Sequence, residues 1–466
     1  MRLNAFDQTV VVAAACIAAL ILGTVLLGDR VGVRIERVSP LGEGARATMP
    51  IKIEFSEAMN RDSIGDTLRI VPAIAGEMSW SSSTLIFTPS EPFEPGVSYT
   101  VTLTPGARSE ANREVIQGVE FSFTIRRPRV AYLSPSDSAP INIWIAEPGV
   151  EGSARQLTNS VAGVYNFDVS PDGQYIAYSE TSAFSDTEDI RVIDLDTGEI
   201  RQVTNCPDSS CTTPIWRPDG QVIAYERVDY NSDLEGVGIS PTRLWLIDVT
   251  VVPATTTPLF QDTQVLGYDP QWSGDGSRIA LYDRGSQGIL IYDFRDDSGI
   301  SIPTRAGTSG SLSPDGTILL YPEVILQDGQ ESRSVMQMAD LVQNTVVVMP
   351  GTDETSSDEW VRWSPDGAQV VVSRNYFDER YTLGSQLMLI DPFTGSVTPL
   401  TDDPNFDHGF FSWDANGERL VVQRLPLFDP QGNRDNLARP QIWTLNVTTN
   451  ELVFVADNAF HPRWVP

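Results

Sequence analysis

The chain has 466 residues, with 62 acidic against 32 basic side chains and a formal charge of −30. So acidic a soluble part disfavours nucleic acid and anionic membrane surfaces as partners; it suits cations, basic proteins or plain solubility. With one lysine (Lys52) and two histidines (His408, His461), there is no Gly-x-x-x-x-Gly-Lys phosphate loop, and a Ser-His-Asp site is nearly excluded.

Residues 1–8 form a short N-terminal tail. Residues 9–28, TVVVAAACIAALILGTVLLG, carry no charge and are long enough to cross a bilayer as a helix. A cleaved signal has a shorter apolar core before a small-residue cleavage site. Here Asp29-Arg30 follows directly, and the expectation is an uncleaved, single-pass signal anchor. Ala13 to Cys16 faintly resembles a lipoprotein box, but the apolar run continues to Leu27. Arg2 before the helix against Arg30, Arg34 and Arg37 after it would, by charge alone, place the bulk inside.

Residues 33–127 have a different texture. Apolar-alternating strands are predicted at 33–38, 51–55, 68–71, 85–88, 99–103 and 121–125, with turn residues between them, which gives a β-sandwich. The run Ile53-Glu-Phe-Ser-Glu-Ala-Met59, then Ile70-Val-Pro72, Gly76, Trp80, Phe87-Thr-Pro89 and Pro95-Gly-Val-Ser-Tyr-Thr100 resembles the bacterial Ig-like domain of the SbsA type. Tyr99 reads as the start of a strand at a sandwich corner. The resemblance implies a spacer or adhesion module without a catalytic site. Arg126-Arg127-Pro128 is the linker.

From residue 129 to 466 one phrase recurs six times, as in SPDGQYIAYS from Ser170 and SPDGAQVVVS from Ser364. Its turn glycines are Gly173, Gly220, Gly276, Gly316, Gly367 and Gly417. Spacings of 40–56 residues, each with a tight turn and a strand, are the signature of a β-propeller. Proline presets the first turn position, Asp tolerates the second, and glycine supplies the left-handed residue. Three strands at 129–134, 141–146 and 155–158 match strands two to four of a blade lacking its first. His461 to Pro466 matches the end of a first strand, so the C-terminal strand is expected to complete that blade, giving seven. Trp216, Trp272, Trp363, Trp413 and Trp464 occupy the place before the turn, with Val169 and Leu312 replacing them; one apolar position per blade reads as core between blades. These repeats resemble those of TolB-like propellers with WSPDG-type turns, a motif specific for fold and nearly silent on activity.

Turns after strands one and three share one face and are tight. Connections after strands two and four share the other and are long: 181–189, 229–242, 326–334, 377–385 and 426–440, with 206–211, 352–359 and 402–408 between blades. Long loops on a rigid scaffold are where function usually sits. The acidic loop face is therefore expected to bind, through Asp229, Asp233, Glu235, Asp353, Glu354, Asp358, Asp402, Asp403, Asp407 and His408. Cys206 and Cys211, five apart, are expected to form a disulfide in an oxidising compartment; free thiols are the alternative.

No catalytic residue and no metal ligand is assigned. His408 and His461, placed equivalently in their blades, read as packing or channel-lining residues rather than a metal pair. Asp429 to Asp435 superficially resembles a calcium loop but lacks the spacing and terminal Glu of an EF-hand. Calcium stays open as a cofactor; no other is expected. The expected fold class is all-β: an N-terminal transmembrane helix, an Ig-like β-sandwich, then a seven-bladed β-propeller closed by the C-terminal strand. The function read from this is a membrane-anchored extracytoplasmic binding or scaffold protein, periplasmic or at the cell surface. It meets the membrane through its helix and a protein or glycan through its loop face, and not nucleic acid. A surface hydrolase or lyase working on polysaccharide or peptide through funnel carboxylates is the alternative.

Overall fold

The structure, a computed structural model, describes residues 12–19, 21–22, 32–65, 67–185, 187–230, 238–326 and 332–466. The chain divides into two units, Met1–Arg127 and Pro128–Pro466. Residues 12–19 and 21–22 are helical, with Val12, Ile17, Ile21 and Leu22 exposed. Among the described residues no helix is long and apolar enough to cross a membrane, and the rest of 9–28 lies outside them.

The first unit has two four-stranded sheets. One orders Ile35–Ser39, Ile51–Phe55, Thr84–Pro89 and Gly76–Ser81; the other orders Gly42–Ala45, Val119–Ile125, Ser98–Leu103 and Leu68–Val71. Alternation sets the inner face: Ile51, Ile53 and Phe55 are buried while Lys52 is exposed. They meet Phe87 and Leu85 across the sheet. Phe93, Tyr99 and Phe123 pack at 4.7–5.8 Å between ring centroids, within the range where aromatic pairs attract. The Tyr99 hydroxyl accepts the Glu94 N–H at 3.1 Å, which ties the corner to the strand.

In the second unit four of the repeated turns are small hydrogen-bonded boxes built on a serine. The Ser170 hydroxyl donates to Asp172 at 2.7 Å and accepts the Tyr175 N–H at 2.8 Å, while the Gly173 N–H donates to the Ser170 carbonyl at 2.8 Å. Ser273, Ser313 and Ser364 repeat the arrangement. Gly173 has φ 65°, a left-handed conformation that glycine adopts without a Cβ penalty.

Strands in each repeat pair in sequence order. Four sheets begin at Gly267–Trp272, Ser311–Leu312, Ser356–Trp363 and Phe406–Trp413. The repeats beginning at Val164–Val169 and Ser209–Trp216 join into one eight-stranded sheet through the parallel bridge of Glu188 to Ser210. A further sheet orders Arg155–Gln156, Asn142–Ala146, Arg129–Ser134 and the C-terminal Phe460–Val465. Thus Arg463 lies opposite Ala131 and Trp464 opposite Val130. Val465 shares a core with Val164, Phe167 and Ile176, and Trp464 shares another with Val421 and Ile442.

The tryptophans pack between sheets. The indole N–H of Trp363, Trp413 and Trp464 donates to the carbonyl of Ser311, Arg362 and Ser412, one sheet back, at 3.2–3.3 Å. That arrangement uses both ends of the side chain, the ring for apolar burial and the N–H for a backbone partner.

Candidate functional site

Beneath the long connections a charged device recurs. Arg227, Arg374 and Arg424 each stand seven residues beyond a turn glycine, at the end of a second strand. Arg227 Nε donates to Asp229 at 2.7 Å and its Nη2 to the Ser209 hydroxyl at 3.1 Å. Arg374 donates to both Asp358 oxygens, at 2.6 and 2.7 Å. Arg424 donates to His408 Nε2 and to Asp403 at 3.1 Å each, and stacks 3.8 Å from the Phe406 ring centroid. Each arginine fastens the start of an inner strand to its neighbour at the base of the loops.

These fastenings absorb much of the acidic set read from the sequence. Asp358 and His408 are fully buried, so neither presents a side chain to a ligand on the loop face, as the sequence reading had placed them. His408 Nδ1 sits 3.0 Å from the Ser385 carbonyl. Burial, and then the Arg424 charge, hold its imidazole down to a pKa of about 4. Asp403 carries Arg424, and Asp407 accepts the Ser385 N–H at 2.8 Å. Asp229 is held low, against the upward push of burial, by Arg227 and Ser209. Against the same push, the Thr355 N–H and Arg380 bring Asp353 down to about 2. Glu354 and Asp402 are exposed. Asp233 and Glu235 lie outside the described residues.

The histidines are not equivalent. His408 stands five residues before Trp413, and His461 three before Trp464. His461 falls in the bulge between Phe460 and Arg463 with φ 53°, and Phe410 holds that place in the preceding sheet, with φ 40°. The Asp429 carboxylate accepts the N–H groups of Gln431 and Asn433 at 2.9 and 2.8 Å, an Asx-type turn. Cys206 and Cys211 are disulfide-bonded and buried, and the Cys206 N–H is anchored on Asp189 at 2.9 Å.

Residues 29–125 match the family described as Bacterial Ig-like domain. Residues 159–246 match that described as Prolyl oligopeptidase, N-terminal beta-propeller domain. The two matches fall on the two units of the chain, an Ig-like segment and part of the propeller repeats. TolB from Acinetobacter baumannii is similar at 13% identity and TM-score 0.43, over 86% of this chain and 83% of that one. A prolyl endopeptidase structure is similar at 14% identity and TM-score 0.50, over 76% of this chain but only 50% of that one, so this chain spans half its length. Oligogalacturonate lyase from Vibrio parahaemolyticus is similar at 12% identity and TM-score 0.46, over 71% and 86%. At these identities the likeness is one of fold. Comparison with curated proteins gave no match.

A second feature of the propeller's loop face escaped the sequence reading. Five connections between second and third strands each expose large apolar side chains: Phe184 (100% exposed), Ile239, Leu326, Phe377 with Tyr381, and Leu437 (90%). The opposite face exposes Phe393, Val251, Val252 and Val342, at short turns. The signal lay in the sequence as isolated apolar residues inside acidic loops, where the surrounding carboxylates masked it.

Proposed function

We propose that this chain is a membrane-anchored extracytoplasmic binding platform. In this reading residues 9–28 anchor it, the Ig-like domain follows the anchor in the chain, and seven blades close into a ring through the C-terminal strand. The long-loop face then docks a protein. One observation carries the reading: a large exposed apolar side chain on each of five long loops sharing one face. Single exposed apolar residues need no explanation, but a set of them rimmed by charge is the usual composition of a protein-docking surface. The exposed acids among them, Glu354 and Asp402, would steer a basic partner. The disulfide supports an oxidising compartment.

The test is capture of proteins from a membrane extract by the full chain and by a Phe184→Ser, Leu437→Ser variant. A partner held by the wild type and lost by the variant supports the platform. Equal capture by both removes the loop face from the account. No capture, with turnover of pooled glycans or peptides instead, favours the hydrolase or lyase.

A further inference from the structure

The position directly before each inter-sheet tryptophan, or the Val169 or Leu312 in its place, carries Asp168, Ile215, Gln271, Ser311, Arg362, Ser412 and Arg463 around the inner strands. Two of the seven are arginines. Arg463 lies 3.6 Å from Asp168. Among the described residues Arg362 has no ion-pair partner, and its Nη1 donates to its own strand, at the Val361 carbonyl, 2.9 Å away. Nearby acids are engaged elsewhere: Asp269 accepts the N–H and hydroxyl of Ser309 at 2.9 Å each, and Glu226 accepts the Asp269 N–H at 2.9 Å.

Arg362 borders a cavity of about 230 Å³ with Asp269, Gln271, Thr308, Gly310 and Trp360. The cavity exists because the fourth inner strand is only Ser311–Leu312, preceded by small residues from Ala306 to Gly310. Gly310 has φ 76°, and a Cβ there would lie 2.3 Å from the Leu320 carbonyl oxygen, so position 310 cannot carry a side chain. The lining carries one aromatic, Trp360. Behind it the Phe410 ring lies tilted at 5.1 Å, His461 lies tilted against Phe410 at 5.2 Å, and His461 meets Phe167 edge-on at 5.5 Å. Two polar atoms of the same inner strands, Ser412 Oγ and His461 Nε2, are buried without a hydrogen-bond partner.

We propose that the cavity beside Arg362 binds a small organic carboxylate, its charge on the guanidinium and its flat body against Trp360. A guanidinium fork matches a carboxylate bidentately, and a half-buried guanidinium without an ion-pair partner gains from an anion that supplies one. Burial, and then the Arg463 charge, lower the pKa of Arg362 against a smaller opposing pull from Asp269, and a bound anion would add to that pull. A single unpaired cation, with Asp269 and Glu359 also on the lining, suits one negative charge better than the two of phosphate. The volume is below the ~300–1,000 Å³ of drug-sized sites, which suits a small ligand. Val324 and Ser334, beside the 326–334 connection of the loop face, also line the cavity.

The probe is benzoate, titrated calorimetrically into the full chain in detergent, beside benzamide and inorganic phosphate. Benzoate should bind at one site, with benzamide and phosphate at least about tenfold weaker. Arg362→Gln should lose benzoate while melting no lower than the wild type, because it removes an uncompensated charge. Trp360→Leu should weaken benzoate in the same sense and guards against misfolding of the first variant. No benzoate binding, benzamide or phosphate binding as well as benzoate, or benzoate affinity unchanged in both variants would each overturn the assignment.

Discussion

Arg374 grips Asp358 through two hydrogen bonds, from Nε at 2.6 Å and Nη2 at 2.7 Å, with both side chains buried. The pair joins the first strand of its blade to the second, under the loop at 352–359. Removing one partner from such a pair leaves an uncompensated buried charge and costs about 3–5 kcal/mol, whereas replacing both with apolar residues of similar size is often neutral. Arg374→Met alone should therefore lower the urea midpoint sharply, and Asp358→Leu with Arg374→Met should recover most of it. Equal loss in single and double variants would contradict the account. Charge reversal meant to test the loop face should accordingly spare Asp358.

His408 predicts a pH dependence. Its folded pKa of about 4 lies below the unfolded value of about 6.5, so the unfolded chain takes up the proton first as pH falls. Its contribution is fully present above pH 6.5 and is lost between about 6.5 and 4, at up to about 1.4 kcal/mol per pH unit. His461 is displaced in the same direction, by burial and then Arg463, so the comparison must isolate one residue. Urea midpoints at pH 7.5 and 5.0 should differ less in His408→Gln than in the wild type. An identical pH slope in the two would remove His408 as a cause.

The disulfide closes a very short loop, with a sequence separation of 5. A loop-closure estimate gives about 2 kcal/mol. Cys206→Ala with Cys211→Ala should destabilise by that order, read by urea unfolding. Alkylation in whole cells before lysis should leave both cysteines unlabelled if the propeller matures in an oxidising compartment. Full labelling of both would place it elsewhere.

The sequence made the repeated parts legible and hid the parts that vary between repeats. The turn at Ser170 to Gly173 needs its serine, aspartate and glycine for the hydrogen-bonded box, so the four repeats that carry all three announce themselves, and Gly220 and Gly417 mark the other two. Pairing of Phe460–Val465 with Arg129–Ser134 followed from which strands were missing at each end. Two strands of the Ig-like domain were not foreseen. Gly42–Ala45 has no apolar alternation and pairs through its backbone, in parallel, with Val119–Ile125. Gly76–Ser81 is an edge strand with most of its residues exposed. The two histidines were aligned wrongly: counted back from Trp413 and Trp464 they stand five and three residues away, so Phe410, in the bulge of its strand, is the counterpart of His461. Asp358 and His408 looked like loop-face ligands because charge in a sequence does not disclose burial; their arginine partners lie 16 residues away.

The most direct test of the loop-face claim is site-specific photo-crosslinking in native membranes, with the crosslinker at Leu437 on the long-loop face and, for comparison, at Phe393 on the short-turn face. Both positions are exposed, so substitution at either should change stability by no more than about 0.5 kcal/mol. The account predicts a discrete protein adduct from position 437 and none from position 393. Adducts from position 393 alone, or the same adduct from both, would contradict it.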